Sequence, residues 1–273
     1  CESLIQSKRA DELISGSLTE WEEKILFLKI INDILFPRCC ASCGVEIETG
    51  LLCAECRDGL LQMKLFPEAG HLDGALFFFS YENSIKTAIH EIKFYHNKSQ
   101  AYLLAEEAEK LFHQASSRNI IMNFLAEAGT LPLHDEFCGK SSINQLYTEE
   151  KTGESRLLWS GIPTDPERLR NRGFDLPSLL FAEQAQACGG VWQRILCRTR
   201  KTQPMYGLGP EERIRNLQDC FAAVSDVRGK SVILVDDIFT TGTTFSAAAE
   251  VLKKAGAVSV KGMAFCGSVE NLR

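Results

Sequence analysis

A chain of 273 residues with 45% hydrophobic side chains is long enough to bury a full core, as one large domain or one with a small appendage. Its formal net charge of −6 repels anions overall, which excludes a protein that holds phosphate or nucleic acid by bulk charge; any such affinity has to come from a local patch. Eleven cysteines, five of them between Cys39 and Cys56, argue for a metal site and reduced thiols rather than a disulfide framework, and so for a cytoplasmic protein.

In chain order, residues 19–35 are predicted as an amphipathic helix with acids in its first turn, ended by Pro37. Lys29 and Asp33 interrupt the apolar run at 25–36 and three glutamates precede it, so it reads as neither a signal peptide nor a membrane span. Then comes the spacing Cys40-x2-Cys43-x9-Cys53-x2-Cys56, whose two thiolate pairs in tight turns suit a tetrahedral, structural Zn2+ site. Iron or plain buried thiols are the alternatives, and a wider first knuckle through Cys39 is a second register. A ribbon of this size has no core of its own, so metal binding would supply its folding energy. Arg38, Arg57 and Lys64 make a thin basic patch, which favours a structural or protein-contact role for the ribbon over a nucleic-acid one.

The run "GALFFFSY" at 74–81 is predicted as a buried strand, residues 84–115 as mostly helical, and 128–154 as a loop or insertion without sustained period. From residue 155 onward short apolar runs alternate with helical patterns: strands at 157–162, 191–197, 232–235 and 258–265, helices at 177–187 and 245–255. That alternation predicts an α/β domain with a parallel sheet flanked by helices. The histidines His71, His90, His96, His113 and His134 are dispersed without ligand spacing and read as non-catalytic.

The strongest chemical signal is "VILVDDIFTTGTT" at 232–244. Ligands of parallel sheets collect at the carboxyl ends of strands, which places Asp236 and Asp237 at that rim. Thr240, Thr241, Gly242, Thr243 and Thr244 then turn the chain into a helix, and successive N–H groups, hydroxyls and the helix dipole make an anion cradle. A ribose 5-phosphate suits this layout, its phosphate in the loop and its 2- and 3-hydroxyls donating to the aspartates. Between Arg168 and Arg215 nine lysines and arginines face four acids, the local basic patch that the overall charge requires. Arg168, Arg170 and Arg172 within it are, on composition alone, as readily a solvated helix face as a ligand loop.

The 232–244 stretch resembles the phosphoribosyl pyrophosphate (PRPP) signature of type I phosphoribosyltransferases. "IPTDPERLRNRGF" at 162–174 resembles that family's pyrophosphate-side loop, and "CRTRKTQPMYGLGPEERIRNLQDCF" at 197–221, with Arg198, Arg213 and Asn216, its flexible loop. The four-cysteine ribbon, "IHEIKFYHN", the Arg-Gly-Phe loop, the Thr/Pro segment and the PRPP motif occur in this order in ComF-family proteins, a resemblance that covers 36–265. Asp165 stands where that family usually has His, Met205 where it has Gln and Asp175 where Asn is common, and "LPLH" at 131–134 lies about thirty residues early.

The resemblance implies a type I phosphoribosyltransferase-like fold with an N-terminal zinc ribbon, PRPP with Mg2+ as ligand, and an association with DNA uptake and competence. It assigns the ribose hydroxyls and Mg2+ to Asp236 and Asp237, the 5-phosphate to residues 240–244, and the pyrophosphate to Arg168, Arg170 and Arg172. The expected layout is a helical extension at 1–38, the zinc ribbon at 39–66 and the phosphoribosyltransferase-like domain at 67–273. Transfer of ribosyl phosphate to a nitrogenous base is one expectation. The other is a non-catalytic PRPP- or nucleotide-binding module acting through DNA-processing protein partners or DNA by way of the ribbon.

Overall fold

A computed structural model describes residues 38–127, 157–203 and 207–268. The helix expected at 19–35, the insertion at 128–154 with the 131–134 element, and Met205 lie outside the described residues. The chain runs through α1 (Ala54–Leu60), β1 (Leu61–Phe66) and β2 (Ala75–Ser80), then α2 (Asn83–Phe94), α3 (Lys98–His113) and α4 (Ala115–Ala126). From Leu157 it continues through β3 (Leu158–Gly161), α5 (Pro166–Arg172), α6 (Leu176–Ala187), β4 (Val191–Trp192) and β5 (Leu196–Arg198). It then passes through α7 (Pro210–Leu217), β6 (Phe221–Ala223), β7 (Ser231–Phe239), α8 (Thr243–Lys254) and β8 (Ser259–Gly267).

Six strands form one sheet in the order β1-β2-β8-β7-β3-β4, parallel throughout except for the antiparallel edge strand β1. This is the expected α/β architecture. Along β7, Ile233 and Val235 enter the core shared with α2, α3 and α6, while Val232 and Leu234 enter the one beneath α8. Both faces of the sheet are covered, which is why "VILV" is continuously apolar instead of alternating.

Three elements differ from the sequence expectation. The long helix at 84–115 is two helices, because His96 adopts a left-handed φ of 55° and the Asn97 side chain then caps α3 by accepting from Gln100 N at 3.1 Å. The strand at 191–197 is also two: β4 ends the main sheet, and β5 pairs with β6 in a separate antiparallel ribbon. β7 runs on to Phe239, past both aspartates, since its pairing with β8 continues through Asp236, Ile238 and Phe239.

The segment Leu61–Phe66, grouped on sequence with the cysteine ribbon, is the sheet's edge strand, and Cys40, Leu51 and Leu52 are buried in the α2–α3–α6 core. β1 carries an irregularity between Leu61 and Lys64 with Met63 at φ 38°, a bulge that twists an exposed edge away from further pairing.

Candidate phosphate-binding site

At the carboxyl end of β7 the chain turns through residues 240–242 and enters α8 with Gly242 at its N-cap, φ 69°. A side chain there is excluded twice: by the left-handed backbone, and by the Phe239 ring, which a Cβ would meet at 2.9 Å. Phe239 is itself fixed, stacked against Phe66 and Phe77 and 5.0 Å from the Phe245 ring. The loop therefore rests on an aromatic floor. No side chain caps α8, so its first-turn amides face whatever enters the turn. The Thr241 and Thr243 hydroxyls lie 2.7 Å apart across the turn, and Thr240 and Thr244 are half-buried beside them.

Asp236 is half-buried and Asp237 almost fully buried; the Asp237 amide donates to Asp236 Oδ1 at 2.9 Å. The cation that faces them is Lys93, from the last turn of α2, whose Nζ lies 2.7 Å from Asp237 Oδ2. Burial opposes ionisation of Asp237, yet the Lys93 ammonium prevails and holds it below its ordinary value. Burial, and then the charge on Asp237, push Asp236 well above its own. Sequence reasoning missed Lys93: it stands inside "IHEIKFYHN", but nothing local distinguishes it from a lysine complementing a helix C-terminus.

Of the three arginines in α5, Arg172 is the one whose charge reaches both Lys93 and Asp237. Its Nε is buried and has no hydrogen-bond partner among the described residues, an unusual state for a guanidinium and one that an anion would satisfy. Arg168 donates to Thr202 O at 3.4 Å, and Arg170 is exposed. The segment is a seven-residue helix, begun by the Asp165 carboxylate accepting from Glu167 N and Arg168 N and ended by Gly173 at φ 80°. Asp175 likewise caps α6 and holds the Thr164 hydroxyl at 3.0 Å. Asp165 and Asp175, two of the departures from the family pattern, are thus carboxylates that start helices.

In the 197–221 segment Arg198 is an anchor: its Nε donates to Pro163 O at 2.6 Å, its Nη1 to Thr202 Oγ1 at 2.7 Å, and its guanidinium lies over the Phe221 ring. Asn216 closes the neck of the segment by exchanging two 2.9 Å hydrogen bonds with the Gln203 backbone. Arg213, on α7, is half-buried, with its Nε lacking a partner among the described residues. A cleft of about 840 Å3 lies between α7, α8 and residues 66–71, touching Thr241, Gly242 and Thr243 at one end.

The sulfurs of Cys40, Cys43, Cys53 and Cys56 all lie within 4.8 Å of one another, and the Cys43–Cys53 pair is 3.7 Å apart. Four sulfurs at about 2.3 Å from a tetrahedral zinc would be about 3.8 Å apart, so the cluster fits such an ion. Cys39 is outside it, exposed and bridged to Glu46, which fixes the register on Cys40. Burial opposes ionisation of Cys40, but amides from Cys53, Cys43 and Ser42 bring its thiol down to about 6, whereas Cys43 is raised and Cys56 is pushed up to about 12.

The knuckles are fastened to α3 by Glu107, fully buried, whose Oε1 accepts from Leu51 N at 2.9 Å and Leu52 N at 3.2 Å. Arg57 Nε donates to its Oε2 at 2.6 Å, and Lys110 bridges Glu107 to Thr49 O. Neither Glu107 nor this network was foreseen; a glutamate at a helical core position carries no sequence mark distinguishing it from a surface one.

The fold and the turn after β7 define a phosphoribosyltransferase-type domain, and the family described as "Phosphoribosyl transferase domain" matches residues 198–270. "DNA utilization protein YhgH" of Salmonella typhi is 32% identical over 106 residues, 38% of this chain and 47% of that protein. "Competence protein ComFC" of Streptococcus pneumoniae is 31% identical over 126 residues, 46% of this chain and 55% of its own. A crystal structure of phosphoribosylpyrophosphate synthetase from Mycobacterium smegmatis aligns at 24% identity with a TM-score of 0.26, over 41% of this chain and 28% of that one. The chain spans about half the length of the curated relatives it matches. The chain is thus similar over part of its length to proteins named for DNA utilization and for competence, in line with the ComF-family resemblance of its motifs. No helix among the described residues is long and apolar enough to cross a membrane.

Proposed function

We propose that this chain binds PRPP with Mg2+ and transfers its ribosyl phosphate to a nitrogenous base, releasing pyrophosphate. The observation that carries the reading is the turn at Gly242: a left-handed glycine over an aromatic floor, uncapped amides at the start of α8, and two carboxylates immediately before it on β7. Residues 240–244 would take the 5-phosphate, and Asp236 and Asp237 the ribose hydroxyls. Arg172, with Arg168 and Arg170 on the same short helix, would take the pyrophosphate, supported by the buried Arg172 Nε, which has no partner among the described residues. Guanidinium groups fixed in advance stabilise the charge that develops on the leaving group. Asp236 and Asp237 would also hold Mg2+, oxygen ligands of the kind that ion prefers, and the ion would supply further charge neutralisation on the pyrophosphate. Arg198 and Asn216 would tether the 199–220 segment, and Arg213, one helical turn before Asn216, would be its ligand-facing cation.

In this reading Cys40, Cys43, Cys53 and Cys56 hold a structural Zn2+, an extension ends at about 38, and the ribbon expected to run to 66 ends at about 60, because Leu61–Phe66 belongs to the sheet of the phosphoribosyltransferase-like domain. In this reading the protein works in the cytoplasm in DNA uptake; relatives named for DNA utilization and for competence support the association with DNA. A second reading keeps PRPP or nucleotide binding without transfer, with the ribbon meeting DNA-processing proteins. It is favoured by Asp165, whose side chain is committed to capping α5.

Calorimetry with PRPP and Mg2+, repeated with ribose 5-phosphate, tests the binding: both should bind, and Asp236→Asn should lose most of the affinity. Pyrophosphate release with candidate bases separates the readings. Binding without turnover on any base removes the first, and no binding of either ligand removes both.

A further inference from the structure

We infer that Lys93 is the resident counter-cation of the Asp236–Asp237 pair, and that a divalent metal ion reaches Asp237 only by displacing it. The inference rests on reading this pair as the cation-holding carboxylates of the site. Lys93 Nζ sits 2.7 Å from Asp237 Oδ2, so the ammonium already occupies the charge-neutralising place beside that oxygen. The Asp237 side chain is only 6% exposed, so the same oxygen has little room to hold an ammonium and a hydrated ion together.

The lysine side chain is itself 30% exposed, on the last turn of α2, and its flexible stem allows the ammonium to swing into water without unpacking the helix. Arg172 is a second cation whose field reaches both Lys93 and Asp237, so entry of a third positive charge works against two already present. With Lys93 in place the carboxylates beside the phosphate turn are partly neutralised, and an anionic ligand does not need a metal to enter first. The expected order is ligand with its own metal, not metal alone.

The test uses Mn2+ alone, titrated into the zinc-loaded full chain without PRPP and followed by electron paramagnetic resonance. Wild type and Lys93→Arg, which retain the cation, should bind Mn2+ weakly. Lys93→Met should bind it roughly ten-fold more tightly, the scale of one nearby unit charge at high effective dielectric, and adding Asp237→Asn should abolish the gain. Equal or weaker binding by Lys93→Met overturns the inference, as does a gain that survives Asp237→Asn. A readout without substitution covers the case in which the variants do not fold: in wild type, saturating Mn2+ should raise the labelling of Lys93 by an amine-directed reagent, read by peptide mass spectrometry. Unchanged labelling counts against displacement. No PRPP enters these measurements, so the PRPP reading stands or falls separately in the calorimetry.

Discussion

Gly242 shows how a single position couples backbone to site. Its left-handed φ of 69° and the Phe239 ring beneath it leave no room for a methyl group. Gly242→Ala should cost about 1–3 kcal/mol in urea unfolding, the range for a strained αL residue plus a close contact. It should weaken PRPP binding by more than that loss of stability explains, because the same turn aims the α8 amides. At Asp237 the outcome depends on what is removed. Asp237→Asn leaves Lys93 facing a neutral amide, so affinity for ligand should fall while the fold persists, measurable by calorimetry alongside unfolding. The two aspartates were legible from sequence as a pair. Their different states were not, since only the approach of α2, bringing Lys93 from 144 residues upstream of Asp237, distinguishes one carboxylate from the other.

At the scale of elements, α3 ties the cysteine knuckles to the rest of the protein. Burial favours the neutral acid at Glu107, but the Arg57 hydrogen bond, the Leu52 amide and the charges of Arg57 and Lys110 outweigh it and hold the group below the ordinary glutamate value. A depressed folded pKa gives stability that is present above the unfolded value of about 4.3 and is lost as pH falls through the folded one. Unfolding free energy should therefore drop as pH is lowered below about 4.3, and Glu107→Gln should flatten that part of the profile. Glu107→Ala, which strands Arg57 and two amides, should cost about 3–5 kcal/mol in urea unfolding at neutral pH, the range for breaking a buried ion pair. Elements were readable where an apolar run or a helical stretch was unbroken, as at β2, α6, α8 and β8. The break at His96, the splitting of 191–197 and the helices α1, α5 and α7 were not, because short caps and left-handed residues override periodicity there.

For the whole molecule, the ribbon and the α/β sheet share one core, with Cys40, Leu51 and Leu52 packed among the side chains of α2 and α3. If the four cysteines hold zinc as proposed, a chelator, or Cys53→Ser, should therefore lower the melting temperature of the sheet domain as well. The expected fall is about 5–10 °C by calorimetric scan, the shift that 2–3 kcal/mol produces in a domain of this size. A ribbon unfolding alone, with the main transition unmoved, would show that the knuckles contribute nothing to the core. The amino-acid sequence by itself determined the fold class, the cysteine spacing and the acid–threonine–glycine turn, because each depends on neighbours within a few residues and on hydrophobic period. Tertiary structure alone decided that Lys93 meets Asp237, that Arg172 stands near the carboxylates while Arg198 is an anchor, and that Glu107 fastens the knuckles. Those are charges meeting across long stretches of chain, and their pairing is set by how helices pack on the sheet, which no local pattern encodes.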